Sequence, residues 1–117
     1  MTDTQLAGFA DIAQLIAATA RAKGDAIAID DGARAVSYSS FVSRGNRAAH
    51  ALIKLGVGHG DRIAVLAENC IEYLELAVAA ARAGAILCAL NWRFTAPELA
   101  HCVQLTQPRL LFVLRAV

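Results

Sequence analysis

The chain has no CxxC pair, no long apolar run, no excess charge of either sign and only two lysines, Lys23 and Lys54. Each absence removes a class of protein. The longest apolar runs, Leu76–Ala81 and Ala83–Leu90, fall far short of the roughly 18–20 residues that cross a bilayer. A formal charge of +1 gives no electrostatic footprint for nucleic acid or for an acidic ligand. The three cysteines, Cys70, Cys88 and Cys102, are odd in number, which argues against a disulfide framework and suits a reducing, cytoplasmic location. The start, Met1-Thr2-Asp3-Thr4-Gln5, lacks the basic region of a secretory signal. No G-x-S-x-G and no Ser/His/Asp order points to a hydrolase.

What remains is apolar and aliphatic. At 57% hydrophobic without glycine, the chain exceeds the usual soluble range of roughly 45–50% that counts glycine. Such a composition covers a parallel sheet on both faces or leaves apolar surface for a partner. The 117 residues fit one domain with a real core. No repeat, low-complexity tract or long linker divides them. Residues 1–10 read as a flexible arm and 11–117 as a single α/β segment.

Periodicity orders the elements. Asp11 caps a helix whose stripe Ile12, Leu15, Ile16, Thr19 and Ala20 forms one buried face, ended by Gly24. Strands Ala26–Ile29 and Arg34–Ser37 flank Asp30-Asp31-Gly32, the signature of a tight hairpin. A helix then runs from Ser37 or Ser39 to about Leu55, burying Phe41, Gly45, Ala48, Leu52 and Leu55. Its Ser43, Arg47, His50 and Lys54 fall on the opposite face. Beyond it, strand Arg62–Leu66, helix Cys70–Ala83, strand Ala85–Leu90, helix Ala96–Gln107 and strand Leu110–Leu114 alternate. That alternation implies two right-handed crossovers and a mostly parallel sheet with helices on both faces. Asn69 with Glu72, and Thr95 with Glu98, read as helix caps, with Phe94 and Leu99 as a hydrophobic staple at the second. The helix from Cys70 is apolar nearly all round, so it is expected to be buried on more than one side.

The chemistry-bearing residues favour structural roles. Gly56-Val57-Gly58-His59-Gly60 follows a helix and precedes a strand, the reverse of a phosphate cradle, so it reads as a helix C-cap and turn. The turns that do lie at strand carboxyl ends are Leu66–Asn69 and Leu90–Phe94. The first contributes an acid. The second offers Asn91, Trp92 and Arg93, with Arg93 either an anion contact or, the preferred reading, paired with an acid beside a packed Trp92. Glu72 and Glu75 read as a solvated stripe rather than an acid–base pair, since nothing nearby would raise either pKa. Cys70 in a first helical turn lacks a His partner, and His101 beside Cys102 points elsewhere on a helix. Arg44, Arg47, His50 and Lys54, without interleaved aromatics, form a solvated helix face.

Several blocks, in order, resemble the acyl-CoA synthetases of the adenylate-forming superfamily. Val36-Ser37-Tyr38-Ser39-Ser40-Phe41 resembles an early Thr-Tyr-x-Glu-Leu block, with Ser40 in place of the acid and Phe41 in place of Leu. Gly60-Asp61-Arg62-Ile63-Ala64-Val65 resembles Gly-Asp-Arg-Val-Ala, and Asn69-Cys70-Ile71-Glu72-Tyr73 resembles an Asn-x-x-Glu helix start. Ala83-Gly84-Ala85 and Leu90-Asn91-Trp92-Arg93 resemble Ala-Gly-Ala and Leu-Asn-x-Arg, with Ala89 where Pro is common. Thr95 to Leu99 matches the next helix, with Pro97 one place later than usual.

The resemblance spans about residues 11–114 but only the front of a much longer family sequence. It looks more like fatty- or aryl-acid CoA ligases than peptide-synthetase adenylation domains. It implies a parent that joins ATP and a carboxylate into an acyl-adenylate, with Mg2+, and then transfers the acyl group to coenzyme A. The family's Gly/Ser/Thr-rich phosphate loop and mobile lysine have no counterpart here, and Lys23 and Lys54 match no lysine motif. The resemblance therefore assigns this chain no catalytic, cofactor-binding or metal residue. It implies a scaffold whose partner is the rest of the synthetase, with self-association through exposed apolar surface. Two other readings stand beside it: a stand-alone α/β nucleotide- or flavin-binding domain, and a truncated interaction module.

Overall fold

The computed structural model describes residues 10–114. Helix α1 spans Ile12–Lys23 and is capped by Asp11, whose carboxylate accepts the Gln14 N–H at 2.8 Å. Its buried face is rotated from the expected stripe. Ala13 is the buried residue, while Ile12 is 55% exposed. The reason is the company α1 keeps. Ala13 enters a small cluster with Phe41 and Val78, against which Ile16, Ala28, Ile29 and Val36 pack.

Strands β1 (Ile27–Asp30) and β2 (Ala35–Ser37) form an antiparallel hairpin with Asp30 opposite Ala35. The Asp31 N–H donates to the Arg34 carbonyl at 3.0 Å, so the turn is tight but its tip is Gly32-Ala33, one residue later than the Asp31-Gly32 pair suggests. The Asp31 side chain closes it by accepting the N–H groups of Ala33 and Arg34, and Gly32 sits at φ +88°. An aspartate that bonds its own backbone in this way sets the loop length itself.

Helix α2 (Tyr38–Lys54) begins directly after β2, with the Ser37 hydroxyl accepting the Ser40 N–H. It buries Phe41, Gly45, Ala49 and Leu52. Ala49 is buried more fully than the expected Ala48, which still packs on the core, and Leu55 is exposed past the helix end. Gly56 follows at φ +89°, the left-handed turn that glycine adopts without a steric penalty.

The rest alternates as expected: β3 (Arg62–Ala67), α3 (Ile71–Ala83), β4 (Ile86–Leu90), α4 (Ala96–Thr106) and β5 (Leu110–Leu114). The three last strands are parallel, in the order β4-β3-β5. With both crossovers right-handed, the step from β3 to β4 and the opposite step from β4 past β3 to β5 place α3 and α4 on opposite faces. Central β3 is apolar on both sides, and Ile63, Ala64 and Val65 are fully buried. One sheet face, Ile63, Val65, Ala67, Leu110, Phe112 and Leu114, packs on Leu52, Leu76, Ala79 and Ala80 of α2 and α3. The other face is thinly covered, because α4 has no buried residue.

Two helix starts differ from each other. The α4 capping box is complete: Thr95 accepts the Glu98 N–H, and the Glu98 carboxylate accepts the Thr95 N–H. The expected Asn69 cap of α3 does not form. Cys70 is the N-cap and makes no side-chain cap bond, and Glu72 pairs with Arg34. At its other end α3 stops at Gly84, φ +75°, where a β-carbon would lie 2.6 Å from His59 Nδ1.

Candidate functional site

Three clusters hold the polar chemistry of the described residues. The first is the seam between α2, α3 and the hairpin. Arg34 Nη2 donates to Glu72 Oε1 at 2.8 Å, Arg44 Nε to Glu75 Oε1 at 2.5 Å and Arg82 Nε to Asn46 Oδ1 at 3.0 Å. The stripe Glu72, Glu75 and Arg82 thus bonds to neighbouring elements: Glu75 is buried, while the Arg34–Glu72 and Arg82–Asn46 contacts stay solvent-exposed. Glu75 is 8% exposed and still charge-paired. Arg44 is exposed, as expected, but its guanidinium pairs with Glu75, and Arg47, His50 and Lys54 are exposed with it.

This pairing decides the electrostatics. The hydrogen bond from Arg34 holds the Glu72 carboxyl below the usual carboxylate range, and the same bond raises Arg34. Asp31 is also held low, chiefly by the backbone N–H of Arg34 and then that of Ala33. Carboxylates stabilised in their charged form are poor general acids near neutral pH. The seam is therefore structural.

The second cluster is the glycine loop at the amino ends of the strands. Asp61 Oδ2 accepts the Gly58 N–H at 2.7 Å and lies 3.8 Å from Arg109 Nη1. Gly60 donates to the Gly84 carbonyl at 2.8 Å. A protein carboxylate already takes the loop N–H that a phosphate cradle would offer, and the loop follows a helix rather than opening one. These residues do not fit the phosphates of ATP.

The third cluster lies at the strand carboxyl ends. A cleft of about 460 Å³ opens between the hairpin and the start of α3, lined by Ile29, Asp31, Asn69, Cys70, Ile71, Tyr73 and Leu74. Its walls are mainly apolar. On the neighbouring turn, Arg93 lies 5.0 Å from the centre of the Trp92 ring, and the Asn91 side chain accepts the Arg93 N–H. The expectation that Arg93 pairs with an acid is corrected: among the described residues its partner is the indole face, a cation–π contact. Trp92 is 47% exposed rather than packed. Among the described residues no three potential metal ligands converge, and His101 and Cys102 stand apart on α4.

No helix of the described residues is long and apolar enough to span a membrane. Comparison with known proteins identifies the family and the fold. The model of the AMP-binding enzymes matches residues 16–117. The chain belongs to that family. It is 40% identical over 80 residues to a fatty acid–[acyl-carrier-protein] ligase of Streptomyces coeruleorubidus, covering 68% of this chain and 15% of that protein. A feruloyl-CoA synthase of Amycolatopsis is 39% identical over 84 residues, covering 72% of this chain and 17% of that one. Among solved structures, a Mycobacterium tuberculosis fatty acyl CoA synthetase superposes with a TM-score of 0.84 at 26% identity, covering 88% of this chain and 21% of that chain. The N-terminal domain of FACL13 from the same organism gives 0.85 at 25% identity, covering 90% and 27%. The chain is an N-terminal segment of the acyl-CoA synthetase fold, and it spans less than a fifth of those curated relatives.

Proposed function

We propose that this segment belongs to an ATP-dependent carboxylic acid–CoA ligase of the cytoplasm, acting on a fatty or aryl acid, and that its own role is scaffolding. The whole enzyme would form an acyl-adenylate and then an acyl-CoA thioester, using ATP, Mg2+ and coenzyme A. The observation that carries this reading is the family match over residues 16–117 on a segment whose charged seam and glycine loop are already self-satisfied. Relatives that act on fatty and on feruloyl groups support the substrate class. Residues 11–117 are taken as one structural unit. Its partner is the remainder of the synthetase, which would cover the thinly protected sheet face, and without that remainder the exposed apolar surface drives self-association.

The test is acid-dependent exchange of labelled pyrophosphate into ATP. The full-length enzyme is expected to catalyse it with a fatty or aromatic acid, and these 117 residues alone are not. Exchange by the short chain would overturn the scaffold assignment. A stand-alone nucleotide- or flavin-binding role gains no support from a glycine loop occupied by Asp61.

A further inference from the structure

We draw no further inference here: the strongest candidate, the cleft of about 460 Å³ between the hairpin and the start of α3, offers only a lone cysteine, Cys70, at a helix N-terminus, and nothing in the structure shows what covers its apolar walls.

Discussion

Gly45 of α2 lies against Val78 of α3 so closely that a β-carbon on Gly45 would sit 2.8 Å from Val78 Cγ1. The two helices touch backbone to side chain at this point, and the main core and the α1–hairpin cluster both depend on their spacing. Gly45→Ala gains about 1 kcal/mol of helix propensity, but overpacking typically costs about 1–3 kcal/mol. The expected outcome is net destabilisation of about 1 kcal/mol, measured by urea unfolding. Val78→Ala in the Gly45→Ala background should recover part of the loss, and a double-mutant cycle reads the coupling.

The Arg44–Glu75 and Arg34–Glu72 pairs should differ in worth. Glu75 is buried, so Glu75→Ala leaves a cavity and strands Arg44, at an expected cost of about 1–3 kcal/mol, reduced by the exposure of Arg44. Glu72→Ala breaks a pair with both members exposed, at an expected cost below about 1 kcal/mol. Denaturant midpoints of the two variants give the comparison.

Acid should weaken the hairpin's attachment to α3. Glu72 and Asp31 are both lowered from ordinary values of 4.5 and 3.8. A carboxyl with a lower pKa folded than unfolded binds more protons unfolded, so its contribution is complete above the ordinary value. It is lost as pH falls through the lowered one. Stability should therefore be flat from neutral pH down to about 5 and then fall. Glu72→Gln should make the acid limb shallower in a pH series of urea melts.

Because α4 buries no residue, its caps matter more than its packing. Thr95→Ala should cost about 1 kcal/mol. The loss should appear as faster hydrogen exchange within α4 while the amides of β3 keep their protection.

Much of this was legible in the residues. The order of elements, the Asp11 and Thr95 caps and the burial of the Cys70–Ala83 region on more than one side follow from spacing and cap chemistry that act within a few residues. What escaped is long-range. Arg44 and Glu75 are 31 residues apart, and Arg34 and Glu72 are 38. A polar stripe on a helix looks the same whether water or a guanidinium faces it. Glu72 belonged to an apparent cap at Asn69, but the helix starts one residue later, with Cys70 as N-cap, and Glu72 pairs with Arg34. The hairpin turn is tight, as the Asp-Gly pair suggests, but its tip falls one residue later, where the Asp31 side chain accepts two backbone N–H groups. At the carboxyl ends of the strands, Arg93 lies over the neighbouring indole, and an adjacent Trp-Arg pair was the available signal.

Gly84 carries two independent locks, one in its own backbone angle and one in the imidazole resting against it. Removing His59 would clear room without making φ +75° comfortable for an ordinary side chain. The corner where α3 gives way to β4 is therefore closed to single-step drift, and sequences that keep this sheet are expected to vary around that glycine long before they vary at it.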